Sequence, residues 1–135
     1  MKVLVDTSVW SLALRRRETG RQQSIVSELS RLIGNYEVAI IGPIRQELLS
    51  GIREEAQFLS LQEKLRAFPD IVLETADYET AARFFNQCRG KGIQGSNTDF
   101  LMCAVSVSRG MSVFTTDKDF DAYRRVVGVR LHQIS

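Results

Sequence analysis

A chain of 135 residues, 44% hydrophobic and 25% charged, has the size and composition of one soluble domain with its own core. Its 18 basic and 16 acidic residues leave a net charge of +2, which by itself points to no class of partner. No stretch approaches the roughly 18 apolar residues a membrane span requires, and the single histidine, His132, excludes both a His-rich zinc site and a two-histidine ribonuclease.

The opening residues Met1 to Arg17 superficially resemble a secretion signal. Asp6 interrupts the apolar run early, however, and the basic cluster follows the run instead of leading it, so a signal peptide is not expected. Cys88 and Cys103 are too few for a disulfide framework and lie in no CxxC pair. They read as small core residues in a reducing cytoplasm.

In chain order, a strand at 2–5 leads to a short helix at 8–14 and a polar stretch from Arg15 to Gly20. Ile25, Leu29, Leu32 and Ile33 recur at helical spacing and predict a helix over 21–33, ended by Gly34 and Asn35. Val38 to Ile41 reads as a second buried strand, followed by a helix at 43–51 with Pro43 in its first turn. A helix at 54–66, a strand at 71–73 and a helix at 77–89 with Ala81, Phe84, Phe85 and Cys88 on one face come next. Gly90, Gly92 and Gly95 mark a loop expected to be mobile. Asn97 or Thr98 is the expected cap of a helix that is apolar nearly all round from Phe100 to Val105, the pattern of a helix buried between layers. Met111 to Phe114 is a fourth strand, a short helix follows Asp117, and Val126 to Leu131 is a fifth strand.

Strands alternating with helices imply a parallel sheet covered on both faces. Right-handed crossovers then bring the C-terminal strand ends to one edge. Asp6, Glu47, Asp99, Asp117 and Asp119 all fall at element ends or first turns that such a sheet gathers there. Each has a structural reading alone, because an acid near a helix start caps amides and complements the dipole. Asp119 is one case, three residues after Thr116 and so able to complete a capping arrangement with it. Glu47 fits a cap less well, since it lies inside a helix. Gathered together the acids repel one another, so a site built from them requires a cation. Oxygen-only ligation suits Mg²⁺, with Mn²⁺ as a substitute, acting on a phosphate. Ser8, two residues after Asp6, is placed to hydrogen-bond the metal-bound carboxylate or its water, or is merely a small first-turn residue.

Four segments in order resemble the PIN-domain family, in particular the VapC-type ribonuclease toxins of toxin–antitoxin modules. They are Val3-Leu4-Val5-Asp6-Thr7-Ser8-Val9-Trp10, Pro43 to Gly51 around Glu47, Asn97-Thr98-Asp99-Phe100-Leu101-Met102-Cys103-Ala104, and Thr115-Thr116-Asp117-Lys118-Asp119-Phe120. The resemblance covers essentially the whole chain. It implies a single PIN domain over 1–135, a three-layer α/β/α PIN-like domain with a central, mostly parallel five-stranded sheet. It also implies an acidic quartet of Asp6, Glu47, Asp99 and Asp117, with Asp119 added and the division of labour between Asp117 and Asp119 open. Asp6 and Asp99 are the expected direct metal ligands, with Glu47 and Asp117 or Asp119 binding through water or holding a second ion.

The expected reaction is Mg²⁺-dependent hydrolysis of structured RNA, such as tRNA or rRNA, leaving 5′-phosphate and 3′-hydroxyl ends. By the same resemblance the chain forms a homodimer, binds a VapB-like antitoxin that covers the acidic groove, and reaches operator DNA only through that antitoxin. Arg15, Arg16, Arg17, Arg45 and Lys118 are candidates for gripping the RNA backbone. Tyr36 is a candidate for stacking on a base, whereas Trp10 is expected in a core or a subunit contact. Three rival readings compete. A haloacid-dehalogenase-type phosphotransferase requires a second Asp where Ser8 stands. A non-toxin PIN nuclease acting in RNA processing or on structured DNA is disfavoured by the lack of an appended domain. A catalytically idle nucleic-acid-binding module is disfavoured because no acid is missing.

Overall fold

The computed structural model describes residues 2–14 and 21–134, so the predicted Arg15–Gly20 stretch, with Arg15, Arg16 and Arg17, lies outside the described residues. Three parallel strands, β1 (Val3–Val5), β2 (Val38–Ala39) and β3 (Ser112–Phe114), form a sheet in the order β2-β1-β3. Two further segments reach it through single parallel bridges, Asp70 beside Ile40 and Leu131 beside Val113. Including them, the spatial order follows chain order as third, second, first, fourth, fifth.

This order dictates where the helices lie. The chain steps outward from β1 to β2 through α1 (Thr7–Leu14) and α2 (Arg21–Gly34), then to Asp70 through α3 (Gly42–Leu49) and α4 (Glu55–Leu65). It then jumps to the other side of β1 through α5 (Thr75–Arg89) and α6 (Asn97–Arg109), and α7 (Asp119–Val127) follows β3. Right-handed crossovers taken in opposite directions cover opposite faces of the sheet. The packing agrees: α1 meets α2 and α3, and α3 meets α4, while α5 packs on α6 and α7. The direction of travel reverses between β1 and β3, so a crevice opens at their C-terminal ends.

Two strand expectations change. Val126 and Val127 belong to α7, because the helical register set by buried Phe120 and Tyr123 carries half-buried Val127 onto the same core-facing side; Gly128, at φ +75°, then ends the helix in a left-handed conformation. Only the residues after Gly128 are left to reach the sheet. Residues 71–73 form no strand: the bridge to Ile40 is made by Asp70, with the Ile71 amide donating to the Ile40 carbonyl, while Val72 is largely exposed and its carbonyl accepts from the Arg109 guanidinium. The cap of α6 moves as well. Ser96 caps it, with Ser96 Oγ accepting from the Asp99 amide at 3.1 Å.

The core centres on the sheet and α6, whose Phe100, Met102, Cys103, Ala104 and Val105 are all essentially inaccessible. Cys88 and Cys103 are both free and buried, as expected, and burial pushes both thiols up. Among the described residues no helix is long and apolar enough to cross a membrane.

The C-terminal segment is tied down by an ionic latch. Buried Glu28 on α2 accepts two 2.8 Å bonds from Arg31 and lies 2.6 Å from His132 Nε2. The Arg31 guanidinium first, and His132 second, outweigh burial and hold the Glu28 carboxyl at about 2 against an ordinary 4.5. Because the folded value is the lower one, this stabilisation is complete above pH 4.5 and drains away as pH falls toward 2. The stability advantage of the native chain over Glu28→Gln, measured by urea unfolding, should therefore shrink by on the order of 2 kcal/mol between about pH 5.5 and about pH 2.5. An advantage that stays constant across that range would show that the latch is not ionic.

Candidate metal centre

The crevice between β1 and β3 is closed at its base by one carboxylate oxygen. β1 ends in buried Asp6, whose amide donates to the Phe114 carbonyl at 2.9 Å and so carries the β1–β3 pairing one residue past the strand. Asp6 Oδ2 accepts from Ser8 Oγ and from Thr115 Oγ1, each at 2.8 Å. Those hydroxyls are themselves oriented. The Thr116 amide donates to Ser8 Oγ and the Asp117 amide to Thr115 Oγ1, both at 3.0 Å. With lone pairs engaged by amides, both hydroxyl protons point at Asp6, and the chain of bonds reinforces itself. Asp6 Oδ1 receives no hydrogen bond from the described residues.

Asp99 shows the same division. It is the third residue of α6, where its amide and carboxylate close a capping box with Ser96. Its Oδ2 accepts from the Tyr123 hydroxyl at 2.9 Å and, weakly, from the Ser96 amide at 3.5 Å. Oδ1 is left without a hydrogen bond from the described residues. Half-burial pushes the Asp99 carboxyl up; the Tyr123 and Ser96 bonds oppose this, and the nearby Asp6 carboxylate adds to it. The Tyr123 hydroxyl is pushed up by burial, by its bond to Asp99, and by the charges of Asp99, Asp119 and Asp117.

The remaining acids are at the same edge. Glu47, exposed on α3, accepts from Thr7 Oγ1 at 2.8 Å, next in sequence to Asp6. Asp117 Oδ1 accepts from the Asp119 amide at 3.0 Å, so Asp117, and not Thr116, supports the start of α7. Asp6 and Asp99 lie near enough to feel each other's charge, Asp117 and Asp119 act on the same Tyr123 hydroxyl that Asp99 binds, and Glu47 is linked to this edge through Thr7. Among the described residues, however, no three of them close into a ready-made metal cage.

Their charge environment separates them from the other acids. The ion pairs of the described residues use Glu28, Asp70 and Asp77, each facing Arg or His. None of the five edge acids takes part in one. Acids in this position, each of the two most enclosed leaving an oxygen open, fit a hard divalent cation held by few carboxylates plus water and phosphate. In such a site Asp6 and Asp99 would face the ion, with Glu47 and Asp117 or Asp119 binding through water or holding a second ion.

The RNA-contact expectations fare unevenly. Arg45 is committed elsewhere: its guanidinium donates to Asp70 Oδ1 and the Leu65 carbonyl, each at 2.9 Å, and to the Phe68 carbonyl. It ties α3 to the 65–70 segment, with each of its three nitrogens engaged in one of these bonds. Lys118 is exposed beside Asp117, on a polar cleft of about 340 Å³ that it shares with Thr116, Asp121 and His132. Trp10 is buried, edge-on to Phe68 at 5.3 Å. Tyr36 is exposed but precedes β2, at the opposite edge of a parallel sheet from Asp6. Thr7, Thr115 and Tyr123 are contacts that the sequence did not single out. Thr7 and Thr115 lie inside the recognised segments, whereas Tyr123 is marked only by its helical register with Phe120.

A family model described as PIN domain matches residues 3–126. Ribonuclease VapC11 of Mycobacterium tuberculosis is 27% identical over 133 residues, 95% of this chain and 96% of that protein. VapC ribonuclease Mb1587 of Mycobacterium bovis matches to the same extent. Among solved structures, FitAcB from Neisseria gonorrhoeae superposes with a TM-score of 0.77 at 20% identity, covering 97% of this chain and 96% of that one. VapBC2 from Rickettsia felis, bound to a promoter DNA fragment, gives a TM-score of 0.77 at 18% identity over 98% of both chains. At these identities the structural likeness establishes the fold.

If Arg45 is a structural clamp, Arg45→Met should lower the free energy of unfolding in urea by about 2 kcal/mol, the scale of hydrogen bonds from a charged group. RNA affinity should be unchanged; a large loss of RNA binding with full stability would return Arg45 to the RNA surface.

Proposed function

The chain belongs to the PIN-domain family, and from that premise we propose that it is a metal-dependent endoribonuclease, the toxin of a toxin–antitoxin pair. One observation carries the reading: Asp6 at the switch point of the sheet and Asp99 at the start of α6 are close enough to feel each other's charge, each with one oxygen held by donors and the other without a hydrogen bond from the described residues. The relatives named VapC ribonuclease support the reaction class.

The cation proposed is Mg²⁺, with Mn²⁺ able to substitute. When bound, it orients the scissile phosphate, acidifies water and offsets charge that develops in the transition state. The protein's own part is preorganisation. Ser8 and Thr115 hold Asp6 in one rotamer, the Ser96 cap and Tyr123 hold Asp99, and Thr7 holds Glu47. Lys118 lies beside the acids, where it can meet a phosphate. No side chain at the edge is placed as a nucleophile, because the Ser8 and Thr115 hydroxyl protons are directed to Asp6. In this reading water attacks phosphorus in line and the bond to the 3′ oxygen breaks, so the 3′ oxygen leaves as a hydroxyl and the phosphate stays on the 5′ end.

The substrate class proposed is structured RNA, tRNA or rRNA, in the cytoplasm. The similar structures of VapBC2 with promoter DNA and of DNA-bound VapBC from Salmonella typhimurium support a small VapB-like antitoxin as the partner. Operator DNA would be reached through that antitoxin, and the toxin would be a homodimer.

Asp6→Asn should lower cleavage of a tRNA and rRNA panel at least a hundredfold, in line with loss of a metal ligand, while the circular dichroism spectrum stays native. Chelation by EDTA should have the same effect and added Mg²⁺ should reverse it. End mapping that finds a 2′,3′-cyclic phosphate would sink the mechanism.

A further inference from the structure

Tyr123 is a buried polar group that the reaction itself does not use. It has no exposed surface, and its ring is enclosed by Phe100, at a centroid distance of 4.9 Å, and Phe120, at 5.0 Å. Phe85 continues the cluster at 5.6 Å from Phe100. In such a cluster phenylalanine would pack as well, and a buried hydroxyl is unfavourable unless it is hydrogen-bonded. The hydroxyl of Tyr123 spends its bond on Asp99 Oδ2 at 2.9 Å; its other contact, to the Gln94 carbonyl, is a long 3.4 Å.

The loop before α6 is shaped around this bond. A Cβ built at Gly95 would collide with the Tyr123 hydroxyl and with the Phe100 ring. Residue 95 therefore has no side chain where the phenol passes on its way to Asp99. The other donor to Asp99 Oδ2, the Ser96 amide, is at 3.5 Å, the limit of a hydrogen bond, so the phenol does most of the orienting.

We infer that Tyr123 is a positioning residue for the cation site: by occupying Oδ2 of Asp99 from α7, it turns Oδ1 toward the ion. It touches neither substrate nor metal and acts only through Asp99, as groups behind a metal ligand do. The inference rests on the metal-site reading proposed above and deepens it, since it makes the α6–α7 contact part of the cation affinity.

The test is Mn²⁺ binding to the full chain freed of any partner, read from the electron paramagnetic resonance of free Mn²⁺. Thermal unfolding is followed with and without the ion. Tyr123→Phe keeps the ring and removes the bond. It should weaken Mn²⁺ binding about tenfold or more and correspondingly reduce the rise in unfolding temperature that Mn²⁺ produces. The metal-free unfolding temperature should change little. Gly95→Ala, which crowds the hydroxyl without touching Asp99, should weaken binding in the same direction and serves if Tyr123→Phe does not fold. A role confined to packing would lower the metal-free temperature and leave the Mn²⁺-induced rise intact. That result, or a loss of affinity smaller than about tenfold in folded Tyr123→Phe, overturns the inference while the metal reading stands. Failure of the native chain itself to bind Mn²⁺ overturns both.

Discussion

A single carboxylate oxygen, Asp6 Oδ2, ties together the segments that leave β1 and β3, at the point where the sheet changes direction. It takes one hydroxyl bond from Ser8 at the start of α1 and one from Thr115 just beyond β3. The strands on either side send their crossovers to opposite faces, so no helix crosses the gap between them. Side chains must bridge it instead, and the amides of Thr116 and Asp117 complete the bridge from the β3 side. The bonds that steady this crevice all fall on one Asp6 oxygen, and the other receives no hydrogen bond from the described residues.

Other side chains at this edge also serve fold and site together. Asp99 closes the capping box of α6, and Asp117 supports the first turn of α7. Reading these acids as caps and reading them as ligands are therefore compatible, because one carboxylate oxygen satisfies an amide or hydroxyl and leaves the other for a cation. What distinguishes them is charge. Glu28, Asp70 and Asp77 each face a base, whereas the five edge acids enter no ion pair among the described residues. The upward displacement of Asp99 is due first to burial, with the Asp6 charge a lesser contribution in the same direction. A bound cation would offset the charge that Asp6 and Asp99 share.

Much of the fold was legible because its signals are local. The apolar run of β1, the helical spacing on α2 and α5, and the all-round apolar face of α6 each follow from side-chain periodicity. Legibility failed where two local signals competed. Val126 and Val127 have strand-like side chains, but the helical register set by Phe120 and Tyr123 claims them. Ile71 to Leu73 has strand composition, yet with Val72 exposed and its carbonyl taken by Arg109 these residues form no strand, and the bridge falls to Asp70 just before them. Arg45 looked like a surface base until the 65–70 segment, distant in sequence, packed against it.

The sequence by itself determined the alternation of elements, the identity of the five acids and their places at element ends, because these depend on periodicity and on motifs within a few residues. Only the tertiary structure decided which oxygen of each acid is held. The donors to Asp6 and Asp99 come from positions as far away as Thr115 and Tyr123, and hydrogen bonds of under 3 Å depend on how strands and helices dock. Residue order carries little information about such contacts, since the chain between the partners can vary in length without altering the geometry at its ends.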